Sequence, residues 1–370
     1  MKRLLLIGGG HSHVEVLRRF AQRPEPGVEL LLATPYPFAM YSGMLPGLIA
    51  GHYRLEECQI DLVALARAAR ARFVQTLVNG LQLDAKLAFC ASGRTLRYDF
   101  ASIDIGSRPD VLDVPGAADH ALAVKPAERF IEQWCELVRG APALPERWRL
   151  LVVGGGAAGV ETLLSMQRCL RRAGARHLQC ALVTDTPEVL QSHSPRVRQI
   201  FARVLEQRGV EVHAGRRVVE VRKRAVLRTD GSEVAADLIV WATGASAPFW
   251  PRACGFVTDA RGFIRVNASL QALDRPEIFA AGDIAEMDSA RPKSGVYAVR
   301  QGPALGENLR RALRGEPLSA YRPQRHALAI ISTGERHAVA SRGALAVAGA
   351  WVWRWKNWID RRFVRRYACV

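Results

Sequence analysis

Apolar residues in this chain fall into short runs separated by glycine turns and by stretches of helical period. Leu4 to Ile7 is the first run. Gly8-Gly9-Gly10 follows, then Val14, Leu17 and Phe20 at helical spacing, then a second run from Val28 to Ala33. Short apolar runs bounded by turn residues predict buried strands, and apolar positions three and four apart predict one face of a helix. A strand–turn–helix–strand unit of about thirty residues has the size of a βαβ element. The same plan returns at Leu150 to Val153, Gly154-Gly155-Gly156, Val160 with Leu163 and Leu164, and Cys180 to Thr184. The fold class expected is therefore α/β, with two Rossmann-like dinucleotide-binding domains related by an internal duplication of plan.

Between the two units the pattern is β-rich, as in Arg94 to Asp104. After the second unit come Val210 to Ala214, Arg217 to Val221 and Ala225 to Arg228, with Gly231 marking a hairpin turn between Leu227 and Val234. Asp237 to Trp241 and Ile278 to Ala281 read as buried strands ending at Ala242-Thr243-Gly244 and Gly282-Asp283. A helix is expected from about Tyr297 to Leu313.

Composition narrows the class. A chain of 370 residues exceeds one simple core and predicts two or three domains. No run of ~18 uncharged apolar residues exists, so no transmembrane helix is expected. The apolar run after Met1-Lys2-Arg3 is too short for a signal peptide and reads as a first strand. Seven cysteines lie scattered, none in a C-x-x-C pair, which argues against a disulfide framework or a zinc site and for a reducing, cytoplasmic compartment. The net charge of +17 suits acidic cofactors or anionic lipid as well as nucleic acid. No helix-turn-helix, zinc finger or RNP-type motif accompanies it, so nucleic acid is not expected.

The glycine motifs carry the chemistry. In Gly154-x-Gly156-x-x-Gly159 the first glycine allows the tight turn, the second lets backbone approach a pyrophosphate, and the third lets helix and strand pack closely. The helix start then offers free N–H groups and a positive dipole end. The first motif, Gly8-x-Gly10-x-x-His13, lacks the third glycine. His11 and His13 flank Ser12 at the helix start and are expected to donate to phosphate or backbone. A metal site on His11 and His13 would need a third ligand that the sequence does not offer, so no metal is expected. Thr34 and Thr184 stand where an acidic residue usually meets the ribose, which leaves the choice of NADH or NADPH open. Asp283 could accept hydrogen bonds from sugar-alcohol hydroxyls or cap the next helix.

Gly8 to Gly10, Ala242-Thr243-Gly244 and Ala281-Gly282-Asp283 around an inserted Gly154 to Glu161 resemble the pyridine nucleotide-disulfide oxidoreductase superfamily. Without adjacent cysteines, the chain is similar to its type II NADH dehydrogenase and sulfide:quinone reductase branch. Tyr41 to Gly47, Lys293 to Gly302 and the tail Trp351 to Tyr367 further resemble the dehydrogenase-like proteins found alone or fused ahead of selenide, water dikinase. The resemblance implies FAD and NAD(P)H as cofactors. It implies an FAD-binding domain in two parts, 1–115 and 251–322, an inserted NAD(P)-binding domain, 116–250, and a C-terminal region, 323–370. FAD would lie on Gly8, Gly10, Ser12 and His13, near Thr34 and Gly106, with Asp283 at the ribityl chain and Pro46 by the isoalloxazine. The nicotinamide nucleotide would lie on Gly154, Gly156, Gly159, Thr184 and Gly244. Glu161 would stand where nicotinamide meets flavin and Gln301 where a quinone docks. His13, Tyr297, Arg300 and Ile105 depart from the family pattern.

The mechanism expected is hydride transfer from NAD(P)H to flavin N5, with the protein supplying orientation. Electrons then pass to a quinone or another small acceptor. Lys125, one of six lysines, is a candidate for stabilising charge on the reduced flavin. In the tail, Trp351, Trp355, Trp358, Ile359, Phe363 and Tyr367 recur at helical spacing among six basic residues, although Arg362 and Arg366 interrupt the apolar arc. This pattern suits contact with the inner face of the cell membrane, or packing on the protein or on a second copy in a homodimer. Two rival readings stay open: a soluble flavoprotein reductase acting on a protein or a selenium or sulfur compound, and a non-catalytic nucleotide-binding sensor.

Overall fold

The computed structural model describes every residue except 110–113, 142–144, 146, 289–291, 325–326 and 369–370. The first apolar run becomes β1 (Lys2–Ile7), followed by α1 (His11–Gln22) and β2 (Val28–Thr34). Leu4, Leu5 and Leu6 are fully buried, because β1 lies between two parallel neighbours, β2 and β4 (Phe100–Ile103), under helices. A strand covered on both faces reads as a continuous apolar run, which is how it shows in the sequence. Outside β2 lies β3 (Arg72–Gln75).

The second unit forms a separate, wholly parallel sheet. It comprises β5 (Ala121–Ala123), β6 (Arg149–Val153), β7 (Gln179–Val183), β8 (Val210–His213) and β9 (Leu238–Trp241), in the order β5-β9-β6-β7-β8. Its crossover helix is α2 (Ala157–Arg172). The hairpin around Gly231 forms as expected, with Ala225–Arg228 paired to Glu233–Ala235.

The chain then returns to the first sheet. β10 (Ile264–Val266), β11 (Gln271–Ala272), β12 (Arg275–Ala280) and β13 (Ala285–Met287) complete eight strands in the order β13-β10-β11-β12-β4-β1-β2-β3. The sheet is thus mixed, parallel at its centre, and drawn from both sides of the second unit. The expected helix is α3 (Gly295–Arg314), which packs closely along α1. Glycine allows that approach: a Cβ on Gly302 would collide with the Glu15 side chain.

The C-terminal region is an antiparallel meander, β14 (Ala329–Ser332), β15 (Ala338–Arg342) and β16 (Leu345–Gly349), leading into α4 (Ala350–Ala368). One face of α4 is seated on the protein, burying Val352, Asp360, Val364 and Tyr367. Arg366 is not a flaw in that face, since it lies 3.3 Å from the buried carboxylate of Glu15, which also accepts the Tyr367 hydroxyl at 3.1 Å. Arg361 pairs with Glu57 at 2.6 Å. The other face carries Trp351, Trp355 and Trp358 into solvent beside Leu345 and Val347. Among the described residues no helix is long and apolar enough to cross a membrane. Six cysteines are free, and Cys369 lies outside the described residues.

Candidate active site

The first glycine turn connects β1 to α1 at the C-terminal edge of the sheet. Gly8 has φ of +94° and lies against the Asp104 carbonyl, where a Cβ would collide. Gly9 lies against Leu62 and Thr34, the latter buried at the end of β2. Gly10 abuts the carboxylate of Asp104, just past β4. That carboxylate accepts the amide N–H of Ser12 at 2.8 Å and of His13 at 3.0 Å. The Ser12 hydroxyl donates to the Ala298 carbonyl on α3 at 2.7 Å.

Of the two partners expected for His13, phosphate or backbone, its ring meets the backbone. The ring is fully buried, with Nδ1 2.7 Å from the Gly8 carbonyl and Nε2 2.8 Å from the Ser102 hydroxyl. Burial pushes it down to about 4. Both nitrogens serve the fold, tying the helix start to β1 and β4. The imidazole stands at the place of the missing third glycine.

Asp283 sits on the short turn after β12, behind Gly282 with φ of +70°. It accepts Lys125 Nζ at 2.8 Å and the Ser107 hydroxyl at 2.9 Å, and Lys125 also donates to Ser107. Burial alone would raise this carboxyl, but the Lys125 ammonium holds it below its usual range. The Asp283 carboxylate therefore stays charged, with Gly106, at φ of +70°, opening the loop that carries Ser107. Gln301 on α3 is buried and its side-chain carbonyl accepts the Gly282 amide at 2.6 Å, fixing the turn from behind. A polar pocket opens here between Asp283, Lys293, Ser294, Tyr297 and Gln301.

Glu161 stands in the second turn of α2. Its carboxylate accepts the Ser332 amide from β14 at 2.6 Å, and burial pushes it up to about 7 against the pull of Lys356. Lys356 on α4 donates to Asp360 at 2.6 Å and to the Gly43 carbonyl. Tyr41 also bonds Asp360 and stacks on Phe363, ring centres 4.2 Å apart. Pro46 lies buried in the adjoining short helix Leu45–Ile49. One buried polar chain, Glu161, Lys356, Asp360 and Tyr41, thus runs from the helix start of the second sheet to the segment expected beside the flavin ring.

The second turn repeats the first with one difference. Gly154, at φ of +126°, lies against the Ala242 carbonyl, Gly155 against Thr184, and Gly159 against the Gly154 carbonyl. A Cβ on Gly156 would meet nothing, and no side chain caps the helix. Thr184 is buried beyond β7, its hydroxyl 2.8 Å from that of Thr186. Gly244 lies exposed after β9.

The structure gathers Lys125, Asp283, Gly282, Gly106 and Gln301 into one corner, and Glu161 and Pro46 into the region around α4. Sequence reading missed Asp104, Ser107, Tyr41, Lys356 and Asp360. Asp104 left a signal, a carboxylate directly after a buried strand. Lys356 and Asp360, four apart on one helix face, left another.

Two glycine turns, each at the carboxyl ends of parallel strands and each opening a helix, define a two-dinucleotide α/β oxidoreductase. The chain belongs to the pyridine nucleotide-disulphide oxidoreductase family, whose profile matches residues 2–302. It is 24% identical over 340 residues to a NADH dehydrogenase-like protein of Mycobacterium tuberculosis, covering 87% of this chain and 83% of that one. It is 24% identical over 348 residues to the demethylphylloquinone reductase NdbB of Synechocystis, covering 90% and 85%. The fold is similar to that of the sulfide:quinone oxidoreductase of Aquifex aeolicus, with a TM-score of 0.83, 18% identity, and coverage of 99% and 91%. The second turn fits a diphosphate, being open at Gly156. The first has the same glycine turn, but the Asp104 carboxylate fills the position over Gly10 that is open over Gly156.

Proposed function

We propose that this protein is an FAD-dependent NAD(P)H oxidoreductase that passes electrons to a quinone-type acceptor. The observation that carries this reading is the junction at Glu161. The start of α2, where a nicotinamide nucleotide's diphosphate would be held, meets the first module through Ser332, Lys356 and Gly43. A carboxyl pushed up to about 7 there holds a proton near neutral pH. The names of the two relatives support NADH as donor and a quinone as acceptor.

Gly154, Gly156 and Gly159 would hold the nicotinamide nucleotide, with Thr184 and Gly244 beside its ribose. Gly8, Gly10 and the Ser12 and His13 amides would hold the flavin diphosphate, and Asp283 with Ser107 its polyol chain. FAD, when bound, supplies a two-electron acceptor at N5 that can pass electrons onward. The protein's part is to orient the two rings, exclude water with Pro46 and the α4 face, and store a proton at Glu161 for the acceptor. Lys125, held by Asp283, sets the charge of that corner rather than acting as a mobile cation.

The Trp351, Trp355 and Trp358 face, with Arg354, Arg362 and Arg365 on the same outward side, suits an anionic lipid surface, where a quinone is found. Rapid mixing of the purified protein with NADH and with NADPH under anaerobic conditions tests the function. Bleaching of the flavin absorbance, followed by its return on adding a soluble quinone, is expected. A flavin that neither nucleotide reduces would overturn the reading.

A further inference from the structure

The duplicated plan supplies its own control. Ile7 pairs with Ile103 in the first sheet as Val153 pairs with Trp241 in the second. The next residues, Asp104 and Ala242, present their carbonyls to Gly8 and Gly154 in the same way. Asp104 therefore holds the place that Ala242 holds in the other module. Above the turns the modules differ. The position over Gly156 is open, while the position over Gly10 is filled by the Asp104 carboxylate. Its Oδ2 takes two of the amides, Ser12 and His13, that a helix start offers to an anion. A carboxylate and a dinucleotide diphosphate cannot both hold these donors, and their charges repel.

We propose that Asp104 is a proton-linked gate at the flavin diphosphate: FAD seats on the first turn as Asp104 takes up a proton from solvent and releases the Ser12 and His13 amides. This rests on the reading that FAD binds here. Burial already pushes Asp104 up to about 6, against the pull of the His13 amide, His11 and the Ser12 amide. Replacing those amides with a neighbouring dianion pushes it higher, so binding takes up a proton. Three other titratable groups face it. His11 is held below its ordinary range by burial, His13 lies at about 4, and Asp283 is held low by Lys125 despite its burial. From α3, Ala298 and Gln301 face the turn.

The test uses the full chain stripped of flavin. FAD affinity is read by quenching of flavin fluorescence between pH about 6.5 and about 8.5, and proton uptake by calorimetry in two buffers of different ionisation enthalpy. The wild-type affinity is expected to weaken by up to about tenfold per pH unit, with uptake approaching one proton. Asp104→Asn and Asp104→Ala should flatten the profile, bind FAD at least about tenfold tighter at the alkaline end, and take up no proton. Alanine is the residue the second module already carries at this place. Wild-type binding without proton uptake, or variants with the wild-type slope, would overturn the gate. Failure of wild type and both variants to bind FAD at any pH would instead overturn the flavin reading on which it stands.

Discussion

Replacing Glu161 by glutamine isolates the titration of one buried carboxyl at the junction of the modules. Burial moves this group from 4.5 to about 7 in the folded protein. Between these values the folded chain binds more protons than the unfolded chain. Stability contributed by the protonated carboxyl is therefore present below about 4.5 and is lost as pH rises toward about 7. At about 1.36 kcal/mol per unit, the shift amounts to about 3 kcal/mol. Glutamine keeps a carbonyl for the Ser332 amide and does not titrate. The melting temperature of Glu161→Gln relative to wild type should climb across this window and level off above it. The gain is about 4 °C if the chain unfolds as one unit, from an unfolding entropy of about 2.1 cal/mol/K per residue. Other buried acids, such as Asp104, titrate in both proteins and largely cancel in the difference. Quinone turnover should respond independently. Wild-type activity should decline above about pH 7 as the proton is lost, and the variant should lie about a hundredfold lower with that limb removed. Parallel melting curves across the pH range would refute the burial argument, and unchanged turnover would refute the proton role.

The remaining expectations address other parts of the site. Lys356→Met leaves Asp360 buried without its cation and should cost about 3–5 kcal/mol, read by denaturant melting, whereas Lys356→Met with Asp360→Leu should recover most of the loss. Gly156→Ala should leave the melting temperature unchanged but weaken NADH binding, since only a ligand would meet the new methyl. Gly154→Ala, at φ of +126° and against backbone, should instead cost about 1–3 kcal/mol of stability. Replacing Trp351, Trp355 and Trp358 together by serine should abolish sedimentation with anionic vesicles while the chain stays folded, because all three rings lie at the surface. Retained sedimentation would place the lipid contact elsewhere.

How much of this molecule the sequence reveals depends on the range of the forces involved. The two βαβ units were legible because parallel strands covered on both faces must be apolar throughout, and because tight turns against backbone admit only glycine, as at Gly8 and Gly154. The tail was legible as a helix, but its role was not. Arg366 looks misplaced in an apolar arc until Glu15, more than three hundred residues earlier, is found buried beneath it. His13 was legible in part. A helix-start residue donating to phosphate or backbone was expected and its ring meets the Gly8 carbonyl, but its second partner, Ser102, belongs to a strand distant in sequence. The buried chain from Glu161 to Tyr41 is assembled from three separate segments and left only the Lys356–Asp360 spacing as a local trace. Asp104 is the instructive case. A carboxylate directly after a buried strand conflicts with its own environment, and such conflicts persist where another part of the molecule, or a ligand, compensates. Here the compensation visible in the fold is the start of α1, the element that an anionic cofactor would also need. Glycines at the turn mark where a phosphate can come close, and the acid beneath it marks what that phosphate must displace.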